Sequence, residues 1–150
     1  MQNRKILFSH SEEETISIAK EFCTSLKIGD IVALIGQLGT GKTLFIRGIC
    51  NYFQVEEIVT SPTFTIMNQY TGYIADKEFS IIHIDLYRIK NLGELVDLGF
   101  LEILSSPNSI ILIEWAEKAE ELIPKPFFRI YFENVEEYET HRIITIEKVE

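Results

Sequence analysis

Several absences bound the problem before any motif is considered. The two cysteines, Cys23 and Cys50, fall in segments of helical periodicity with no Cys-x-x-Cys or Cys/His spacing, which argues against a disulfide framework or a zinc site. Both read as small buried apolar residues. Cations are scarce: 14 Lys and Arg face 23 Asp and Glu, a formal net charge of -9 with a sequence pI near 4.9. Gripping a polyanion needs clustered Lys and Arg, so DNA is excluded as a partner and any contact with RNA is expected to be indirect. The acidic surplus suits solubility or docking onto a basic protein. No stretch approaches the ~20 apolar residues of a membrane span, and the segment MQNRKILFSHSEEE has no apolar core followed by a small-residue cleavage site. The expectation is a soluble cytoplasmic protein with no membrane association.

There is no internal repeat or low-complexity block, and the four prolines, Pro62, Pro107, Pro124 and Pro126, sit at boundaries between periodic segments. With 46% hydrophobic and 25% charged residues in 150, the chain has the composition of one domain over 1–150 able to bury a core. Lys5 to Ser9 reads as a strand. Ser11 and Glu14 form a capping-box pattern that opens a helix, which Gly29 stops. The run from Asp30 to Ile35, DIVALI, is the pattern of a strand buried on both faces. A helix from about Lys42 to Phe53 follows. Ser61 to Tyr70 and Ser80 to Asp85 read as strands around a turn at Thr71-Gly72. Leu92 to Leu104 is helical, or two short helices broken near Gly99; Ser109 to Glu114 is a second fully apolar strand; a short helix runs through Ala116 to Leu122. Phe127 to Glu133 and Arg142 to Glu147 alternate as a C-terminal antiparallel hairpin. This interleaving predicts an α/β fold, a three-layer domain with a mixed, mostly parallel central sheet and a C-terminal antiparallel hairpin, and the glycine-rich run GQLGTGKT at 36–43, between the first apolar strand and its helix, makes it P-loop NTPase-like.

Between the apolar strand and the next helix lies Gly36-Gln37-Leu38-Gly39-Thr40-Gly41-Lys42-Thr43, which fits G-x-x-x-x-G-K-[ST] in its required strand-loop-helix setting. Glycines let the backbone curl so that successive N–H groups face one anion, and the helix N-terminus adds its positive end. Lys42 is expected to reach the β- and γ-phosphates. Thr43 is expected to supply a hydroxyl to Mg²⁺. Gly36, Leu38, Gly39, Thr40, Gly41 and Leu44 complete the predicted nucleotide contacts, mostly through backbone.

Such a site needs a carboxylate at the end of a neighbouring strand to hold the metal or its water shell. Two strands end that way, at Asp85 and at Glu114, on the carboxyl edge where open α/β sheets bind ligands. Asp85 reads as a metal-side carboxylate and Glu114 as a further Mg²⁺ or water contact that polarises the attacking water; the two roles are interchangeable on sequence alone. With Lys42 they form the predicted catalytic set. His83 reads as a strand histidine satisfied by hydrogen bonds. Thr63, in Ser61-Pro62-Thr63-Phe64, is placed where a switch segment senses the γ-phosphate. Tyr87 and Trp115, beside the acids, suit either packing or partner contact.

Neither D-x-x-G nor N-K-x-D, the switch and base-reading strings of a GTPase, occurs. The arginines, Arg4, Arg47, Arg88, Arg129 and Arg142, are too scattered for a kinase lid, with Arg88 the best candidate for a finger in cis. A bare ATPase core fits better than a small-molecule kinase or a non-hydrolysing nucleotide-dependent interaction module. GQLGTGKT with Phe45-Ile46-Arg47-Gly48, then SPTF, then His83-x-Asp85-x-Tyr87-Arg88, ELVDLGF at Glu94 to Phe100, and Ile113-Glu114-Trp115 resemble, in that order, the TsaE family over nearly the whole chain. Gln37, Thr40 and Leu44 depart from its usual residues. The resemblance implies an ATP-binding and hydrolysing subunit of tRNA threonylcarbamoyladenosine (t6A) synthesis at position 37, with Mg²⁺ held through Thr43 and Glu114 and with Asp85 nearby. It further implies an adenine side built around Ser11 and the hairpin near His141 and Arg142. The implied partners are the TsaB and TsaD proteins, reset between rounds by ATP hydrolysis, with tRNA met only through them.

Overall fold

The structure, a computed structural model, describes residues 4–62 and 66–150. Its strands are β1 (Arg4–Ser9), β2 (Ile31–Ile35), β3 (Met67–Ile74), β4 (Lys77–Asp85), β5 (Ser109–Glu114), β6 (Phe127–Val135) and β7 (Tyr138–Val149), and its helices are α1 (Glu12–Cys23), α2 (Lys42–Tyr52), α3 (Leu92–Asp97) and α4 (Phe100–Leu104). All seven strands join one sheet in the order β1-β7-β6-β2-β5-β4-β3. The centre is parallel, with β2 between β5 and β6 and β4 beside β5, while β1, β7 and β3 add antiparallel edges. The C-terminal hairpin is therefore part of the main sheet, its first arm paired directly with the strand that feeds the glycine-rich loop.

β2 shows why the architecture has three layers. Alternate side chains point to opposite faces of a strand: Val32 and Leu34 enter the core shared with Phe22, Phe45 and Ile49 of α1 and α2, whereas Ile31 and Ala33 enter the core shared with Leu95 and Phe100 of α3 and α4. Each fully buried Leu, Ile or Phe contributes roughly 1.5–3 kcal/mol, and the central strands carry them on both faces. Cys23 and Cys50 are free and buried, and burial pushes both thiols up to about 12. They act as apolar filler.

Several local expectations change. The strand expected over 61–70 begins only at Met67, with residues 63–65 outside the described ones, and the hairpin turn is at Ala75 and Asp76, both left-handed at φ 49° and 66°, rather than at Thr71-Gly72. Gly72 lies mid-strand opposite Phe79. A Cβ there would meet the Phe79 ring at 2.9 Å, so the glycine makes room for an aromatic neighbour instead of turning the chain. Gly99, at φ 84°, breaks the 92–104 segment into α3 and α4. The segment after β5 forms two 3₁₀ turns, Ala116–Lys118 and Glu120–Leu122. Ser11 caps α1 by accepting from the Glu14 N–H at 3.1 Å, while the Glu14 carboxylate turns to His10 instead of closing the box on Ser11. Among the described residues no helix is long and apolar enough to cross a membrane.

Candidate functional site

β2 ends at a loop whose shape depends on missing side chains. A Cβ on Gly36 would lie 2.7 Å from the Thr40 hydroxyl and 2.8 Å from the Phe132 carbonyl. Gly39 and Gly41 adopt φ 76° and 97°, a region that L side chains rarely occupy. The Thr40 hydroxyl closes the loop by donating to the Gln37 carbonyl at 2.6 Å. α2 then starts at Lys42 with no side chain capping it, which leaves its first-turn N–H groups and dipole end available to an anion.

The acids arrive through strand register. Asp85 of β4 stands opposite Glu114 of β5, and Glu114 opposite Leu34 of β2. Glu114 is buried, and the Thr43 hydroxyl lies 3.2 and 3.4 Å from its two oxygens. Thr43 Oγ1 also sits 3.0 Å from Ser61 Oγ. From behind, His83 Nε2 lies 2.6 Å from Glu114 Oε2, so one ring nitrogen is engaged by the site acid itself, while Nδ1 has no hydrogen-bond partner among the described residues. Asp85 is partly buried; burial holds its carboxyl above the usual carboxylate range, opposed by the Tyr87 N–H that donates to Oδ1 at 2.9 Å and reinforced by the charge of Glu114.

Lys42 is 5% exposed and donates to the carbonyls of Gly36 and Gln37. Burial lowers its pKa, and the charges of Glu114, Glu117 and Asp85 work in the opposite direction. Its Nζ lies 3.9 Å from the centroid of the Trp115 ring. Trp115 takes φ 58° directly after β5, a conformation unfavourable for a bulky residue, and this turn places the indole between Lys42 and Tyr87, whose ring centroid is 5.1 Å away.

These groups open onto a cavity of about 700 Å³, within the range of small-molecule sites. Of the predicted nucleotide residues, Leu38, Gly39, Gly41, Lys42, Thr43 and Leu44 line it, as do Asp85 and Glu114. Gly36 and Thr40 shape the loop from behind. Ser11 is engaged as the α1 cap, and its neighbours Glu12 and Thr15 line the cavity instead. Arg88 lines it as well, and from β7 so does Arg142, whose Nη2 donates to the Gly39 carbonyl at 3.0 Å. Thr63 lies outside the described residues. The sequence reading missed the Ser61 and Thr15 contributions and the His83–Glu114 bond; alternation along β4, which puts His83 and Asp85 on one face, was the available signal for the last. Among the described residues no group of three or more His, Cys, Asp or Glu is arranged to hold a metal. The donor set is a threonine hydroxyl beside a buried carboxylate, which suits Mg²⁺, a cation that keeps several waters and needs few protein ligands.

A buried strand, a glycine-turned loop that delivers Lys and Thr onto a helix start, and acids on the neighbouring parallel strands define a P-loop NTPase-like α/β domain. A family model described as threonylcarbamoyl adenosine biosynthesis protein TsaE matches residues 9–144. The chain belongs to the TsaE family. It is 43% identical over 125 residues to the tRNA threonylcarbamoyladenosine biosynthesis protein TsaE of Rickettsia conorii, covering 83% of this chain and 68% of that one. To the Bacillus subtilis protein of the same name it is 38% identical over 118 residues, covering 79% and 70%. The crystal structure of Bacillus subtilis YdiB superposes with a TM-score of 0.76 at 29% identity, over 100% of this chain and 88% of that one.

Proposed function

We propose that this chain is the ATP-binding and hydrolysing subunit required for t6A modification at position 37 of tRNA, acting in the cytoplasm as a switch that resets a TsaB–TsaD complex. The observation that carries this reading is the convergence of Lys42, Thr43, Asp85 and Glu114 on one cavity at the carboxyl edge of the sheet. Lys42 exchanges its bonds to the Gly36 and Gln37 carbonyls for the charged oxygens of the β- and γ-phosphates, a stronger class of hydrogen bond. Thr43 and Glu114 are the residues that would hold Mg²⁺, with Asp85 lining the same cavity, and the ion would supply neutralisation of phosphate charge. Glu114 and Asp85 also orient the attacking water. Of the two arginines that line the cavity, Arg142 is engaged with the loop and Arg88 is the candidate finger in cis; the switch reading expects slow hydrolysis by the lone chain and acceleration by its partners.

Reconstitution of tRNA modification with TsaB and TsaD, with and without this chain, tests the proposal by counting product per complex. One turnover without the chain and many with it is the expected result. Equal product in both overturns the reset role. ATP turnover is measured in parallel: phosphate moved onto an acceptor would instead identify a small-molecule kinase, and tight ATP binding with no turnover even in the complex a non-hydrolysing module.

A further inference from the structure

We infer that His83 is a positioning residue of this site, which holds the Glu114 carboxylate turned toward Thr43 whether or not a metal is present. The inference rests on the reading of the cavity as an Mg·ATP site and concerns a residue which that reading leaves without a role.

A carboxylate as buried as Glu114, with its side chain 4% exposed, needs hydrogen-bond donors for its oxygens. Among the described residues two are in reach: the Thr43 hydroxyl at 3.2 Å and His83 Nε2 at 2.6 Å. They are not equivalent. The Thr43 oxygen is the atom that Mg²⁺ would take as ligand, so its contact with Glu114 is remade when the metal enters. His83 approaches from the side away from the cavity, which it does not line, and its bond survives in both states.

The surroundings of His83 argue that this bond is what the histidine is for. The residue is fully buried. Its other nitrogen, Nδ1, has no hydrogen-bond partner among the described residues, although buried polar atoms are usually paired. A histidine that served only to fill the core would be better replaced by an apolar side chain of the same size. The ring is held by strand register, since His83 stands opposite Leu112 while Asp85, two residues on, stands opposite Glu114. Tyr70 flanks it with ring centroids 6.4 Å apart and is itself fixed by donating from its hydroxyl to the Thr60 carbonyl at 3.1 Å. Metal sites depend on such outer hydrogen bonds to orient their ligands.

The test uses the full chain, His83→Phe, which keeps ring volume and removes the donor, and His83→Gln, which restores an N–H. Trp115 is the one tryptophan and lies against Lys42, so its fluorescence follows ATP binding, first in EDTA and then through a titration with MgCl₂. In His83→Phe the Mg²⁺ concentration at half effect is expected to rise about 10- to 100-fold, with ATP affinity in EDTA unchanged and with most of the Mg²⁺ response regained in His83→Gln. An Mg²⁺ response in His83→Phe equal to that of the parent overturns the inference, as does a His83→Gln protein that is folded yet as impaired as His83→Phe. If His83→Phe does not fold, the comparison of parent with His83→Gln stands beside imidazole NMR of the parent: hydrogen on Nε2, with a resonance that shifts in Glu114→Gln, supports the inference, and hydrogen on Nδ1 alone refutes it. A parent that binds no ATP in either condition sinks the nucleotide reading and this inference with it; a parent that responds to Mg²⁺ while His83→Phe responds identically sinks only the role of His83.

Discussion

The two ends of the cavity are built in opposite ways. At the phosphate end, Lys42, Glu114 and His83 are 5%, 3% and 0% exposed, and every one is delivered by a central strand or by the loop and helix directly after it. At the hairpin end, β7 makes exposed bonds to its surroundings: Thr140 Oγ1 donates to the His10 carbonyl just before α1 at 3.3 Å, and Arg142 Nη2 donates to the Gly39 carbonyl of the glycine-rich loop at 3.0 Å. His141 stacks on Tyr138 at 4.4 Å and meets His10 edge-on at 4.9 Å, again at the surface. Charged groups removed from water interact strongly, and exposed ones are screened. Affinity for a triphosphate should therefore be concentrated at the first end, with the second trimming and shaping it.

The largest expected effect follows from Lys42→Ala. A hydrogen bond to a charged group contributes about 1.5–3 kcal/mol, and the proposed function gives Lys42 several to the phosphates, so ATP affinity measured by calorimetry should fall by about 100-fold or more. Lys42, though buried, bonds to the loop carbonyls and the Trp115 ring and belongs to neither hydrophobic core, so the fold is expected to persist, with Tm moved by less than about 4 °C. Unchanged ATP binding would refute the assignment of the loop and erase the contrast between the two ends.

Arg142→Ala is the matching edit at the hairpin end. It removes one exposed hydrogen bond to the loop, of a kind whose net contribution is about 0.5–1.5 kcal/mol. ATP affinity should fall by no more than about 10-fold, and the difference should shrink as salt is raised. A loss as large as that of Lys42→Ala would mean that the hairpin grips the ligand directly and that the contrast drawn from burial is false.

The same contrast governs what could be read from the sequence. The phosphate end was legible because its residues are adjacent in sequence or sit at matching ends of apolar strands: the loop pattern, the DIVALI strand and the strand-end acids Asp85 and Glu114 all lie where periodicity and spacing put them. The hairpin end joins residues far apart in the chain, and no local pattern announces that Glu12 and Thr15 rather than Ser11 face the cavity. Ser11 is diverted because a helix N-terminus needs its hydroxyl. The β3–β4 turn was misplaced for a different reason: Gly72 looks like a turn residue, but its lack of a side chain is used across the sheet by Phe79, and the left-handed positions fall to Ala75 and Asp76. The His83–Glu114 bond required knowledge that β4 lies beside β5, which is tertiary information.

The smallest expected effect tests the proposal that the carboxylates beside the glycine-rich loop receive a cation. Burial, with Glu114 adding to it, holds the Asp85 carboxyl above its ordinary range. The native state therefore binds that proton more tightly than the unfolded chain does. Between the ordinary carboxylate value of about 3.9 and the raised native one, the folded protein carries more protons, so stability contributed by this group falls as pH rises through that window and stays low above it. Asp85→Asn keeps an oxygen for the Tyr87 N–H and removes the charge. It should raise Tm at pH 7, with the gain fading as the pH of the melt is lowered toward the carboxylate range. Adding Mg²⁺ with ATP should also close the gap, because the cation relieves the parent of the repulsion that the variant lacks. A variant less stable than the parent at pH 7 would show that Lys42 already compensates Asp85 in the free protein, and that this end is organised as an ion pair instead of an unfilled cation site.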